Sequence, residues 1–332
     1  MKLPSLKIAN FTAPFPLIQG GMSIRVSTAA LAAPVASCGG IGVIGGSSIP
    51  EEDLMADIKK AKAMTDGIVA VNIMYAMKNF SNTVLCSIKA GVDMIITGAG
   101  FSRDIFKIGK EHNVPIIMIV SSAKLARLAE KLGAAAVIAE ATEAGGHLGT
   151  DKPLREIFPS IREVVKKIPL IAAGGITNGY EMAEMMDKYG ADGVQIASRF
   201  VLSEECDVAD EFKQAYLNAT KDDIVLTSSP VGLPGRAIAT PFVASKNSGE
   251  SHFSKKCPYA CLKKCDHHYC ISEHLLAAKD GDLEKGLFFA GANTYKMKEI
   301  LPVAEIFRRF KTQAESVYRE HIGFSGPDTE TP

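Results

Sequence analysis

The sequence predicts an α/β chain folded as a (β/α)8 barrel, a TIM barrel, and three observations predict it. First, eight short apolar runs lie at 16–19, 41–44, 68–74, 93–97, 115–120, 135–139, 168–173 and 192–197. Their spacing of roughly 20 to 34 residues is the length of a strand plus a returning helix. Second, the runs are almost wholly apolar rather than alternating, which suits parallel strands covered on both faces. Third, helical patterns separate them, as at 121–132, where Ala123, Leu125, Leu128 and Leu132 recur at helical spacing. Eight such units favour closure, with a doubly wound open sheet as the alternative.

Five of the runs end in glycine: Gly20-Gly21, Gly45-Gly46, Gly98 with Gly100, Gly145-Gly146 and Gly174-Gly175. In a barrel those ends form one rim, the face where ligands sit. Any single pair reads as a tight strand-to-helix turn; five on one rim read as room for a ligand to approach backbone.

Composition narrows the function classes. Lys and Arg total 37 and Asp and Glu total 37, so no net field draws the chain to nucleic acid or anionic membrane. No apolar run reaches the length of a membrane span, and the first residues carry no signal-peptide pattern. A cytoplasmic protein acting on a small molecule is the expectation, its seven cysteines being thiols or metal ligands rather than disulfides. The assembly, a homodimer included, is left open.

Beyond residue 200 the pattern changes. A helix is expected over 207–218, and 225–242, rich in Pro, Gly and Ser, reads as a long loop. A cysteine cluster follows, then an apolar stretch at 286–291 and a final helix over 297–319. The expected organisation is a barrel over 1–245, a C-terminal cap over 246–320 that returns to the barrel mouth, and a disordered tail over 321–332.

Two late strand ends carry the first chemical signal. Ala173-Gly174-Gly175-Ile176 and Ile196-Ala197-Ser198-Arg199 each lead from a strand into a helical segment. In barrels the loops after strands seven and eight often bind phosphate. Backbone N–H groups at Gly174, Gly175, Ala197 and Ser198 would donate, with the Ser198 hydroxyl and the Arg199 charge in support. Neither a dinucleotide fingerprint nor a GxxxxGK[ST] loop is present, since Gly39-Gly40-Ile41-Gly42 precedes a strand. A phosphate on this rim suggests FMN, pyridoxal phosphate or a sugar or nucleotide phosphate. No lysine ends a strand run, which counts against pyridoxal phosphate. Gln19, Asn72 and Gln195 lie near strand ends, where amides could bind the edge of a flavin or satisfy loop backbone.

His147 is the candidate catalyst. It follows the sixth run on the ligand rim, after Gly145-Gly146, and an imidazole suits proton transfer near neutral pH. Glu143 could orient it or cap the next helix.

Five segments in this order carry a resemblance. They are Gln19-Gly20-Gly21-Met22, Val71-Asn72-Ile73-Met74, Glu143-Ala144-Gly145-Gly146-His147-Leu148-Gly149, Ala172-Ala173-Gly174-Gly175-Ile176 and Gln195-Ile196-Ala197-Ser198-Arg199-Phe200. Over residues 10–245 the chain resembles the nitronate monooxygenase (2-nitropropane dioxygenase) family, which includes FMN-dependent enoyl-acyl-carrier-protein reductases. The resemblance implies an FMN flavoprotein with phosphate at Gly174, Gly175, Ala197 and Ser198. The ring would lie near Gly20, Gly21, Met22, Asn72, Glu140 and Gln195, with Gly145 and Gly146 close by and His147 at its reactive edge. It implies an oxidoreductase: first, a monooxygenase that denitrifies alkyl nitronates with O2, His147 acting as base or holding the substrate. The alternative is NAD(P)H-driven reduction of an enoyl thioester, toward which a glutamate at 140 leans. Ala141 replaces a usual glycine, Ala197-Ser198 a usual Gly-Thr, and the 286–295 segment lacks a usual glutamine.

CPYACLKKCDHHYC lies outside that common core. Cys257, Cys261 and Cys265 are four apart, so a helix starting near Pro258 would put them on one face, with Cys270 and His267 or His268 closing a fourth position. The cluster reads either as a metal site, an iron–sulfur cluster ahead of zinc, or as thiols packed under the cap. A further reading is a flavin or phosphate barrel without turnover whose cysteine lid senses redox state.

Overall fold

The computed structural model describes residues 3–250, 257 and 259–323. Eight parallel strands close a barrel: β1 (Leu17–Gln19), β2 (Ile41–Gly45), β3 (Ile68–Met74), β4 (Met94–Gly98), β5 (Ile116–Val120), β6 (Ala136–Glu140), β7 (Leu170–Ala173) and β8 (Gly193–Ile196). Each falls within a residue or two of an expected run, and β8 pairs with β1 to shut the cylinder. Helices α1 (Ala29–Ser37), α2 (Glu51–Met64), α3 (Phe80–Lys89), α4 (Asp104–His112), α5 (Ala123–Leu132), α6 (Leu154–Arg162) and α7 (Gly179–Asp187) follow strands one to seven.

Strand side chains alternate between two apolar layers, which is why the runs read as continuous. Ile18, Val43, Ala70, Ile96, Ile117, Ile138 and Ile171 fill the interior, and the hairpin Leu6–Ile8/Phe11–Ala13 adds Leu6, Ile8 and Ala13 to this cluster. Leu17, Ile44, Val71, Ile95, Met118, Val137 and Val194 point outward into the layer shared with the helices. The C-terminal ends stay open to ligand.

After β8 a short helical turn, α8 (Ser198–Val201), leads into the cap. The cap holds α9 (Asp210–Asn218), α10 (Pro241–Asn247), α11 (Ile271–Lys279) and an antiparallel pair, β9 (Ile224–Ser228) and β10 (Pro234–Ile238). This pair corrects the loop expected over 225–242. Its turn residues Ser229-Pro230 and Gly232 hid it, and its pairing is with a distant segment: Gly235 and Arg236 face His147 and Gly146. The last helix, α12 (Val303–Gly323), leaves the cap and packs against α7 and α1 on the barrel wall. It stands where the eighth outer helix of a barrel belongs, so the cap is threaded between β8 and that helix. Residues 324–332 of the expected tail lie outside the described residues, and no helix among the described residues is long and apolar enough to cross a membrane.

Candidate active site at the barrel mouth

The site begins with strand register. Ala173 of β7 pairs with Glu140 of β6 on one side and with Gln195 of β8 on the other, so the three stand side by side on one face at the rim. They border an open cavity with about 480 Å³ of free space, part of it continuous with solvent. Gly174, Gly175, Ala197 and Ser198, the residues expected at a phosphate, line it together with Gly145, Ile176 and Thr177. Gly174 and Gly175 have φ of 116° and 74°, a conformation that spares glycine the Cβ clash. The N–H groups of Gly175 and Ile176 meet no acceptor among the described residues.

The cap walls one side of this cavity. Gly291, Asn293, Thr294 and Met297 form its outer wall. Asn293 donates to the Gly175 carbonyl at 2.6 Å, the Gly291 N–H to the Ser198 hydroxyl at 3.0 Å, and the Ala292 N–H to the Glu143 carbonyl at 2.9 Å. Thr294 and Met297 were missed in the sequence, although the Gly-Ala-Asn that follows an apolar run repeats the pattern of the strand ends. Arg199 corrects an expectation. It is buried away from the cavity and donates to the carbonyls of Leu202 (2.6 Å) and Glu299 (2.5 Å), holding the chain that returns to α12.

Two buried polar atoms of residues lining this cavity, Gln195 Oε1 and Thr294 Oγ1, have no partner among the described residues. Leaving a buried acceptor unpaired costs about 1–3 kcal/mol unless a ligand supplies the donor. With the free N–H groups and the glycine cradle, they fit a phosphorylated ligand with a hydrogen-bonding ring.

Glu140 stands on the same rim with no cation beside it among the described residues, and burial raises its pKa to about 7. His147 keeps part of its surface open yet sits deep under the cap, where loss of solvent lowers its pKa to about 4. Its Nε2 is 2.7 Å from the Ser229 hydroxyl, and its ring meets Phe289 edge-on with centroids 5.2 Å apart. Neither partner was foreseen, because both belong to segments remote in sequence. Glu143 resolves to a cap: its carboxylate accepts the Leu154 N–H at the start of α6.

The remaining expected residues form a second group on the β1 side. A Cβ on Gly20 would stand 3.0 Å from Ala197 Cβ, and one on Gly21 only 2.4 Å from Asn72 Cβ, so these loops are in contact. The Met22 N–H donates to the Ser27 hydroxyl at 2.8 Å. Gln19 is consumed internally, accepting from the Val43 N–H and donating to the Gly20 carbonyl. Gly20, Gly21, Met22, Asn72, Gly146 and His147 do not line the cavity that holds Glu140 and Gln195.

In the cap, the described residues between Cys257 and Cys270 are not helical, and Pro258, where the helix was expected to start, lies outside them. Ala260 and His267 take left-handed φ of 43° and 59°, and the segment runs beside the loop after β3, with Leu262 opposite Met77. The helix starts only at Ile271, after Cys270, so the expected one-face helical arrangement does not occur. Among the described residues no three His, Cys, Asp or Glu side chains converge on a single-ion point.

Comparison with known proteins now decides the family. The nitronate monooxygenase profile matches residues 4–84 and 68–312. The chain belongs to the nitronate monooxygenase family. It is 33% identical over 236 residues to a (3aS,4S,5R,7aS)-5-hydroxy-7a-methyl-1-oxo-octahydro-1H-indene-4-carboxyl-CoA dehydrogenase of Mycobacterium tuberculosis, a match covering 70% of this chain and 66%, just under two thirds, of that relative. A probable nitronate monooxygenase of Staphylococcus saprophyticus is 26% identical over 292 residues, covering 74% of this chain and 82% of that one. The structure of FabK from Thermotoga maritima superposes with a TM-score of 0.82 at 32% identity, over 93% of this chain and 96% of that one. The family so identified is one of FMN-dependent oxidoreductases, and the matched FabK structure has the same barrel.

Proposed function

We propose that the chain is a reductase acting on an unsaturated acyl thioester, with a nicotinamide nucleotide as its electron source. The observation that carries the reading is Glu140, a carboxyl on the cavity rim that keeps its proton up to about pH 7. Reducing a carbon–carbon double bond requires a hydride and a proton, and a group titrating near the working pH is the best placed to deliver the proton. The carboxyl-CoA dehydrogenase relative, named for a thioester substrate, supports the same class.

FMN, when bound, supplies the two-electron carrier. Gly174, Gly175, Ala197 and Ser198 would hold its phosphate, and Gln195 its ring. Glu140 holds a proton on the rim. His147, neutral at pH 7, cannot act as an efficient base from a pKa of about 4, but its ring nitrogens can orient an oxygen of the substrate. The segment from Gly291 to Met297 walls the cavity on the cap side.

A second reading, oxidation of an alkyl nitronate with O2, is favoured by the family match and by the Staphylococcus relative. A nitronate is already an anion and needs no proton donor. The neutral His147, held by Ser229, would then position a nitro oxygen.

One assay separates the two. The flavin-loaded protein is given NADH or NADPH with a short enoyl-CoA under nitrogen, and, separately, an alkyl nitronate in air. The expected result is nicotinamide consumption that depends on the enoyl-CoA. Glu140→Gln and His147→Ala should each lower it by two or more orders of magnitude, as loss of an acid or positioning group does, with flavin content unchanged. Oxygen uptake with the nitronate and no turnover of the thioester would overturn the proposal in favour of the second reading.

A further inference from the structure

We propose that Ser229 is a positioning residue: its hydroxyl donates to His147 Nε2 and fixes the imidazole with its proton on Nδ1, leaving an N–H to meet the substrate's thioester oxygen. The meeting with that oxygen rests on the acyl-thioester reading; the place of the proton on the ring does not.

The turn after β9 sets the serine. The Gly232 N–H closes it onto the Ser229 carbonyl at 2.9 Å, with Gly232 at a left-handed φ of 83°. Within the turn the Val231 N–H donates to Ser229 Oγ at 3.3 Å, the local bond that serine makes in turns. The strand ladder brings the histidine to this hydroxyl. His147 stands opposite Gly235 of β10, and the Leu148 N–H donates to the Pro234 carbonyl at 2.8 Å. Gly235 leaves room for Phe289, since a Cβ there would stand 3.0 Å from the ring that flanks the imidazole edge-on. Ser229 Oγ and His147 Nε2 are thereby held 2.7 Å apart.

The direction of that bond follows from counting protons. A hydroxyl has one proton to give. Ser229 is 2% exposed, so its proton needs an acceptor in the protein. The Val231 N–H can only donate, which leaves His147 Nε2 to accept. The Tyr269 hydroxyl also feels Ser229, but it makes its own bond to the Ser228 carbonyl at 3.2 Å, and the short contact of the serine is the one to His147. The ring is neutral at pH 7, so one of its nitrogens is bare. With Nε2 accepting, the proton sits on Nδ1, which has no partner among the described residues while the ring keeps part of its surface open.

The chemistry requires a donor at that place. When a hydride joins the β carbon of an enoyl thioester, the double-bond pair shifts toward the carbonyl and its oxygen takes up negative charge until the α carbon gains a proton. An N–H aimed at this oxygen stabilises the charge, whereas a bare imidazole nitrogen would repel it.

The test is nuclear magnetic resonance of the full chain carrying 15N-labelled histidine, at neutral pH. Long-range 1H–15N correlation reads which ring nitrogen is protonated, and the His147 signals are those missing from His147→Ala. A proton on Nδ1 is expected. A proton on Nε2, the state in which His147 donates to Ser229 and the serine turns to Tyr269, overturns the proposal. Ser229→Ala should show both tautomers and lose roughly tenfold or more in kcat with enoyl-CoA, KM and flavin content changing little. Ser229→Thr, which keeps the hydroxyl, should restore both the tautomer and kcat. A purely structural serine would change the melting temperature without moving the proton, so an unchanged tautomer or kcat in Ser229→Ala also overturns the proposal. Should Ser229→Ala fail to fold, the wild-type spectrum decides alone. A proton on Nδ1 with no turnover of enoyl-CoA would sink the acyl-thioester reading and leave the hold of Ser229 on His147 standing.

Discussion

Glu140 and His147 place opposite demands on the protein at the scale of single residues. Burial raises the first to about 7 and lowers the second to about 4, so both stand neutral near pH 6. Their stability effects have opposite signs. An acid raised in the folded state contributes stability that is complete below its ordinary value of 4.5 and is lost as pH rises toward 7. A histidine lowered in the folded state loses stability as pH falls from 6.5 toward 4. For Glu140 the shift corresponds to about 3 kcal/mol. In flavin-free protein, Glu140→Gln should therefore melt at the same temperature as wild type at pH 4.5 and clearly above it at pH 8. The histidine is common to both proteins, so their difference isolates the carboxyl. Identical melting at both values would show that Glu140 ionises freely in the fold. The Gln195 and Thr294 oxygens belong to the same scale: residue types were visible in the sequence, but their lack of partners was not, because it depends on what surrounds them.

The strand-end turns decide ligand binding at the scale of elements. Gly175 combines a left-handed φ of 74° with close neighbours: a Cβ there would stand 3.0 Å from Glu143 Cβ and 3.2 Å from Asn293 Nδ2. Gly133, at the end of α5, has a φ of 96° and nothing within 4 Å of such a Cβ. Gly175→Ala and Gly133→Ala should both pay the left-handed penalty of about 1–2 kcal/mol. Only the first should also disturb the cradle, weakening FMN at least tenfold by roughly 1.4 kcal/mol or more. Equal FMN affinity in the two variants would remove the β7 turn from the binding site. The turn was legible because glycine pairs mark strand ends directly. The β9–β10 pair was not, since its partner strand is two residues at Gly146–His147, supplied from about ninety positions away. Ser229, which follows β9 and holds His147, was hidden for the same reason.

The order of elements along the chain becomes a stability question at the scale of the whole molecule. The eight strands could be counted in advance because each is buried on both faces and so spells itself as an unbroken apolar run. That the eighth wall helix arrives a hundred residues late could not be counted, since nothing in the pattern of α12 says which wall it covers. The contacts do say it. The Gly179 N–H at the start of α7 donates to Gln313 Oε1 at 2.8 Å, and Phe307 packs between Phe15 and Phe200, with ring centroids 5.1 and 6.1 Å away. Gly40, just before β2, leaves the space its ring fills, a Cβ there standing 2.7 Å from the Phe307 ring. Phe307 thus joins the segment before β1, the turn before β2 and the turn after β8 at the seam where the barrel closes. Removing its ring should cost about 3–5 kcal/mol, far more than Leu226→Ala on the cap, whose side chain is 52% exposed. The comparison is made by urea unfolding followed through far-ultraviolet circular dichroism, whose signal comes mostly from the barrel's eight strands and wall helices. A large fall in midpoint for Phe307→Ala with Leu226→Ala unchanged is the expected result. Equal midpoints would mean that the barrel closes without α12, and that the C-terminal return serves the cap alone.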